Sequence, residues 1–541
     1  MSTNDDVPSG RKVEIYDTTL RDGSQLEGIS LTVDDKLRIA EQLDWLGVDY
    51  IEAGWPGANP KDDELFGRAP SELHLETAKL VAFGMTRRVK GKVDSDDTLR
   101  HLVEAGTDTV CIVGKCWDYH VLEALDTTLD EGVAMVADSI AYLKGRGLEV
   151  LFDAEHFFDG YKADPEFSLR VLEGAVQAGV DRLVLCDTNG GALPHEVEGI
   201  VRSVVDYFGG DVGVGVHLHD DAGTGVANAL AGVRGGATQV QGTINGYGER
   251  TGNCNLTTII PNLTLKMGFE TLPPGRLERL TPVAHHVAEL VNMALNPQAP
   301  YVGSSAFAHK AGLHVSAIAK RPDAYEHVNP ESVGNGTRFV MSELSGKSTV
   351  VLKAKELGLD LDGPTVNEVV DRLKHLEHEG YHFEVADASL ELLMRRCAGW
   401  EQSWFHVESF RVITDDMSPE VAAGDRPDGV TTEATIKVHV GGERIVAVAE
   451  GNGPVNALDS ALRVALGERF PALASIHLTD YKVRVLDTQR GTAAVTRVLL
   501  DTTDGERTWT TIGVSENIIE ASWQALSDSL VYGLLRAGEE G

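Results

Sequence analysis

Val212-Gly-Val-Gly-Val-His217-Leu-His219-Asp220-Asp221 is an alternating apolar run that ends in two histidines and two aspartates. Valine at every second position predicts a β-strand. In a strand, residues i and i+2 point to one face. His217 and His219 therefore stand on the same side, ~7 Å apart along the backbone, and two imidazoles so placed can converge on one ion. An isolated His-x-His is also compatible with two buried, hydrogen-bonded histidines. The place of the run in the chain separates these readings: it is the seventh strand of a series, and other strands of that series end in acidic residues.

Working outward, the strand pattern recurs at 13–18, 50–54, 80–84, 109–114, 149–154, 183–187, 212–218 and 238–244. Helical patterns lie between most of these. The clearest is 33–46, where Leu37, Ala40, Leu43 and Leu46 line one face; others are 129–146, 167–178 and 195–208. Eight βα units predict a (β/α)8 TIM barrel over residues 11–270. The competitor is a doubly wound sheet, and its dinucleotide-binding form would carry Gly-x-Gly-x-x-Gly after the first strand, which this chain lacks.

Chemistry in such barrels sits at the C-terminal strand ends. The first ends in Asp17-Thr-Thr-Leu-Arg21-Asp22-Gly23, the second carries Glu52, and the fifth ends in Asp153-Ala-Glu155-His156. The sixth ends in Cys186-Asp187-Thr188-Asn189, the seventh supplies His217 and His219, and the eighth is followed by Asn245-Gly-Tyr-Gly-Glu-Arg-Thr-Gly-Asn253. Each residue alone would serve as a structural cap or ion pair. Gathered at one mouth, they form a mixed N/O donor set suited to a divalent cation.

The chain's 541 residues make room for about three to four domains. A net charge of −35 argues against nucleic-acid binding, which needs basic patches, and fits simple solubility. No apolar run is long enough to span a bilayer, and the polar first ten residues lack a signal-peptide core, so a cytoplasmic location is expected. Cys111, Cys116, Cys186, Cys254 and Cys397 contain no Cys-x-x-Cys pair and read as reduced core thiols.

Residues 271–400 read as helical linker subdomains, with helices at 281–295, 343–357 and 365–378 and a cluster of His309, Lys310, His314, Tyr325 and His327. Residues 401–541 alternate again and repeat themselves. Ala434–Val440, Gly442-Glu-Arg444 and Asn456-x-x-Asp459 are echoed by Ala494–Leu500, Gly505-Glu-Arg507 and Asn517-x-x-Glu520. Two βββα copies are predicted, each Asn capping its helix, with 451–453 and 511–513 as turns that could touch a ligand. The lack of a catalytic cluster there favours binding or regulation.

Asp17-Thr-Thr-Leu-Arg-Asp-Gly-x-Gln25, His217-x-His219 and Gly246-Tyr-Gly-Glu-Arg-x-Gly-Asn253 resemble the signatures of the 2-isopropylmalate, homocitrate and citramalate synthase family, metal-dependent barrel enzymes related to 3-hydroxy-3-methylglutaryl-CoA lyase. The resemblance runs over nearly the whole chain. Gly54-Trp-Pro-Gly-Ala-Asn-Pro60, Asp153–Gly160, Gly303–Lys310 and Ser342–Gly346 are similar to the citramalate branch in particular. Leu26 departs from the pattern, standing where many of these enzymes carry Arg.

The resemblance implies a Claisen-type condensation of acetyl-CoA with a 2-oxo acid, followed by thioester hydrolysis. For the citramalate branch the acceptor is pyruvate and the pathway isoleucine synthesis. It implies metal ligands Asp22, His217, His219 and Asn253, with Mn²⁺, Mg²⁺, Zn²⁺ and Co²⁺ all compatible. Arg21 would stabilise the oxyanion, Glu52 would hold Arg21 by a bidentate pair, and Thr188 would bind the 2-oxo acid carboxylate. Glu155 would act as base or organise it. His314 and Tyr325, with His309 a weaker candidate, would serve acid–base work or hydrolysis, acting across a homodimer. The C-terminal repeat would bind an amino-acid feedback inhibitor. The alternatives are a 2-isopropylmalate synthase, a retro-aldol acyl-CoA lyase and a non-catalytic amino-acid sensor.

Overall fold

The computed structural model describes residues 10–310, 318, 321–340, 346–414, 432–486 and 493–538. The chain divides into two compact units, one comprising residues 1–307 with 326–337, the other residues 308–325 with 338–541.

In the first unit, strands β1 (Glu14–Asp17), β2 (Tyr50–Gly54), β3 (Lys79–Met85), β4 (Thr109–Lys115), β5 (Glu149–Glu155), β6 (Arg182–Asp187), β7 (Gly213–Leu218) and β8 (Gln239–Gly242) form a closed barrel in sequence order. All pairs are parallel, and β1 closes on β8 with Glu14 opposite Gln239 and Asp17 opposite Gly242. Such strands are buried on both faces, and their two alternating sets of residues meet different neighbours. Ile15, Ile51, Ala82, Ile112 and Phe152 belong to the large core shared with the surrounding helices. Their neighbours Tyr16, Tyr50, Val81, Phe83, Cys111 and Leu151 form a separate cluster. Along β2, β5, β7 and β8 this second set also takes in Glu52, Asp153, His217 and Gln241, all buried. Period-two alternation thus sends the polar residues of apolar strands into the barrel.

The intervening helices include α1 (Val33–Leu46), α2 (Pro60–Glu72), α3 (Asp97–Glu104), α4 (Leu129–Lys144), α5 (Phe157–Ala163), α6 (Pro165–Gln177), α7 (Pro194–Phe208) and α8 (Gly225–Gly235). α1 begins where a capping box forms: Thr32 Oγ1 accepts from the Asp35 N–H at 3.1 Å, and Asp35 Oδ2 accepts from the Thr32 N–H at 2.9 Å. Its predicted stripe is the face it buries. The eighth strand is shorter than its sequence pattern, because the chain turns into a 3₁₀ helix at Ile244–Gly246 to start the loop that reaches Asn253. The helix predicted over 281–295 runs Leu280–Leu290, with Asn292 beyond it in a left-handed conformation.

The second unit begins with the short strands Ala308–His309 and Arg338–Phe339 and contains helices Lys347–Glu356, Gly363–Glu379 and Asp387–Cys397. Two antiparallel three-stranded sheets follow: His406–Thr414, Thr432–Val440 and Glu443–Gly451 with helix Pro454–Leu466, then His477–Val485, Thr496–Thr503 and Thr508–Ser515 with helix Ile518–Ala537. These are the two βββα copies. Asn517 caps its helix, accepting from the Ile519 N–H at 2.9 Å. Asn456 does not: Pro454 at the first helical position starts that helix two residues earlier, and Asn456 Oδ1 instead accepts from the Asn452 N–H. Nor are residues 511–513 a turn. They lie inside the last strand, where a Cβ on Gly513 would sit 1.9 Å from Ala521 O, so glycine there admits the packed helix.

In the first sheet, the alternate residues Ala434, Ile436, Val438 and Ala447 are buried in one core with the helix Pro454–Leu466. Ile413, Val446 and Val448, opposite Glu433, Lys437 and Thr435 in the ladder, lie on the other face and are exposed in the single chain.

Candidate active site

A cavity of about 330 Å³ opens at the C-terminal mouth of the barrel. Arg21, Asp22, Glu155, Thr188, His217 and His219 line its polar side, and Trp55, Phe83, Met85, Val113, Leu125 and Met135 supply its apolar wall.

Asp22, His217 and His219 each offer a ligand atom, all within 4.8 Å of one another, and all three residues are buried. His217 Nε2 lies 3.4 Å from Asp22 Oδ2. Asp22 follows β1 at the edge of a 3₁₀ turn, Gly23–Gln25. His219 lies one residue past β7 and is fixed by an antiparallel bridge to Asn253. That bridge needs the glycines of the loop after β8. A Cβ on Gly248 (φ +149°) would fall 2.3 Å from Asn253 Nδ2, and one on Gly252 (φ +94°) 2.0 Å from Gly246 O. Arg250 ties the loop down through a bidentate pair to Asp221, at 2.8 and 3.0 Å, and a bond to Thr188 O.

Two buried polar atoms here have no hydrogen-bond partner, His219 Nδ1 and Asn253 Oδ1. Such atoms are costly unless something satisfies them. With the close Asp22–His217–His219 group, they match the residues expected to hold a divalent ion.

The electrostatics agree. Burial would raise the Asp22 carboxyl, but the Arg21 guanidinium together with His217 and His219 outweighs it, and the carboxyl lies well below the usual carboxylate range. Burial works against a charged His217, yet its contact with Asp22 prevails and raises it to about 9. His219 is pushed down to about 4 by burial and by its neighbour His217. A pocket that holds a carboxylate charged and draws a proton to one imidazole is one a cation would satisfy.

Arg21 donates from Nε to Glu52 Oε1 at 2.5 Å and from Nη1 to Asp22 Oδ2 at 3.1 Å, and its guanidinium lies over the Phe83 ring, 3.7 Å from the centroid. The expected bidentate Arg21–Glu52 pair is therefore corrected to a single contact. Thr18 also donates to Glu52 Oε1, Tyr16 occupies the other oxygen at 2.5 Å, and the rest of the guanidinium is left for Asp22. Glu52 is fully buried and holds the Arg21 guanidinium through Nε.

Glu155, at the end of β5, pairs with Lys115 at the end of β4. The next residue, His156, adopts a left-handed conformation, φ +53°, and its N–H donates to Thr188 Oγ1 at 2.9 Å. Because that oxygen accepts from His156, the Thr188 hydroxyl proton stays available to an acceptor in the cavity. Leu26 packs against the barrel core, and its neighbour Gln25 lines the cavity.

His314 lies outside the described residues. Tyr325 belongs to the second unit, on an exposed turn after the 3₁₀ helix Pro322–Ala324, and His309 pairs within the short strands of that unit. Reading strand ends missed Lys115, Phe83 and Gln241. Gln241 left a visible signal: Gln239 and Gln241 stand at period two on a wholly buried strand.

A closed parallel barrel carries a two-histidine, one-carboxylate group at its C-terminal mouth, and over this barrel the HMGL-like family model matches residues 12–287. The homocitrate synthase post-HMGL domain-like model matches residues 301–381, and the LeuA allosteric (dimerisation) domain model residues 384–534. An (R)-citramalate synthase of Aquifex aeolicus is 52% identical over 98% of this chain and 99% of its own length. One from Streptomyces coelicolor is 52% identical over 97% of each chain. A probable 2-isopropylmalate synthase of Methanopyrus kandleri stands further off, 33% identical over 95% of this chain and 97% of its own. The chain belongs to the HMGL-like family, in its (R)-citramalate synthase branch.

Proposed function

We propose that this chain is a citramalate synthase: acetyl-CoA, pyruvate and water give citramalate and CoA. The observation that carries this reading is the 52% identity, over nearly the full length of both chains, to proteins of that name. The cavity's donor set suits the chemistry.

Thr188 donates its hydroxyl proton to the 2-oxo acid carboxylate. Arg21, anchored by Glu52, faces the ketone oxygen as it gains charge. Glu155 removes a proton from the acetyl methyl group, the new C–C bond joins that carbon to the ketone carbon, and water then displaces CoA from the thioester. A divalent ion held by Asp22, His217 and His219, with Asn253 beside them, supplies Lewis-acid polarisation of the 2-oxo acid when bound. Mn²⁺, Mg²⁺, Zn²⁺ and Co²⁺ all suit these donors. His314 and Tyr325 are assigned to the hydrolytic half.

The reading extends to a homodimer, supported by the dimerisation-domain match and by the exposed apolar face of Ile413, Val446 and Val448. It places the enzyme in the cytoplasm, in isoleucine synthesis, with isoleucine as feedback ligand of the C-terminal unit. Thiol release from acetyl-CoA, measured in parallel with pyruvate, 2-oxoisovalerate and 2-oxoglutarate, tests the assignment. Pyruvate is expected to give the highest kcat/KM. Preference for 2-oxoisovalerate would instead make the chain a 2-isopropylmalate synthase.

A further inference from the structure

Beneath the metal-ligand group lies a chain of buried polar side chains that the reaction does not use. His217 Nδ1 is 2.8 Å from Gln241 Oε1, and Gln241 Nε2 donates to Asp153 Oδ1 at 3.1 Å. Gln241 is fully buried, and Asp153 and His217 nearly so, 3% and 4% exposed. The three come from β8, β5 and β7, at interior positions.

The connectivity has one consistent assignment of protons. Asp153 Oδ1 accepts from the Gln241 amide, as a carboxylate does. It must face the amide NH₂ of Gln241, because the flipped amide would set oxygen against oxygen. That turns Gln241 Oε1, an acceptor, toward His217 Nδ1, which must carry the ring proton. With Nδ1 protonated, the position open to an ion is Nε2, 3.4 Å from Asp22 Oδ2, where a bound cation takes the place of the proton that Asp22 otherwise holds there. Without this chain the ring could put its proton on Nε2 and block the ligand position, or rotate away.

We infer that Asp153 and Gln241 are positioning residues for the metal ligand His217: the carboxylate fixes which way the amide faces, and the amide fixes which imidazole nitrogen is free to bind the ion. This rests on the metal reading above. Hydrogen-bond partners of ligating histidines typically contribute 10–100-fold to metal affinity.

The experiment measures Mn²⁺ binding to the metal-free full-length protein by calorimetry at pH 8, without substrate. Gln241→Met keeps the side-chain length and removes both hydrogen bonds, and a 10–100-fold weaker Kd is expected. Most turnover should return at saturating Mn²⁺, which a general loss of structure would not allow. If Gln241→Met fails to fold, Gln241→Asn withdraws the amide by one methylene, and the same loss is expected. Gln241→Glu combined with Asp153→Asn exchanges donor and acceptor but restores the connectivity: one Glu oxygen accepts from His217 Nδ1 and the other from the new Asn amide. Affinity near or above the wild-type value is expected of this double variant. Unchanged Mn²⁺ affinity in folded Gln241→Met or Gln241→Asn protein overturns the inference, as does a double variant no better than Gln241→Met. His217→Ala serves as control: if it binds Mn²⁺ like wild type, the metal reading itself fails and this inference falls with it.

Discussion

Replacing Arg21 by alanine should do two separable kinds of damage, and the structure gives the scale of each. Arg21 is the cation that faces the fully buried Glu52, whose remaining donors, Tyr16 and Thr18, are neutral hydroxyls. Breaking a buried pair from one side costs about 3–5 kcal/mol, because the remaining charge is stranded. Arg21 also lines the cavity beside Asp22, placed to meet an oxyanion. Losing such a donor typically lowers kcat by about 10²–10³-fold, or ~2.7–4 kcal/mol. Arg21→Ala should therefore lose both stability and turnover. Adding Glu52→Gln removes the stranded charge, so the double variant should recover most of the stability and none of the turnover. Denaturant unfolding and CoA-thiol release, run on the same preparations, separate the two effects. The reasoning is refuted if the double variant regains turnover along with stability, since Arg21 would then act only through the fold. It is equally refuted if Arg21→Ala keeps near-normal kcat.

His156→Val should strain the left-handed backbone by about 1–3 kcal/mol and swing its N–H away from Thr188, raising KM for the 2-oxo acid more than for acetyl-CoA, whereas His156→Asn, which tolerates that conformation, should be milder; steady-state kinetics with each substrate varied check this, and equal changes in both KM values would count against it. Asp17 is raised to about 7 by burial. Its folded form therefore holds a proton that the unfolded chain releases near 3.9, and its contribution to stability falls as pH rises from about 4 to 7. Asp17→Asn should remove that loss and gain about 2–3 kcal/mol on the wild type between pH 5 and 7; parallel stability–pH curves by urea unfolding would show the group is not the source. Full-length enzyme should bind isoleucine by calorimetry and be inhibited by it, and a null result with isoleucine, leucine and valine alike would end the feedback reading. Heterodimers assembled from His314→Ala and His217→Ala subunits should regain activity through one intact composite site, and verified but inactive heterodimers would rule out action across the dimer.

Much of this protein is written locally in its sequence. A parallel strand in a closed barrel is buried on both faces, so strands such as β3 and β4 show as short apolar runs, and helices between the strands carry one-sided stripes like that of Leu37, Ala40, Leu43 and Leu46. Because such a barrel works at its C-terminal strand ends, Arg21, Asp22, Glu155, Thr188, His217 and His219 could be picked out one strand at a time, and all of them line one cavity. Internal repetition likewise announced two βββα copies. Contacts across the barrel were not legible, because they depend on how the strands are staggered when β1 closes on β8. Only the folded barrel decides that Arg21 divides its donors between Glu52 and Asp22 over the ring of Phe83, that Lys115 meets Glu155, and that Asp153 reaches His217 through Gln241. The helix start at Pro454 shows the same limit at short range: Asn456 has the right type and spacing for a cap, but the proline two residues earlier fixes φ and begins the helix first. Sequence determined which residues face inward, because alternation is a property of the strand itself; tertiary structure decided which of them touch, because that is a property of closure.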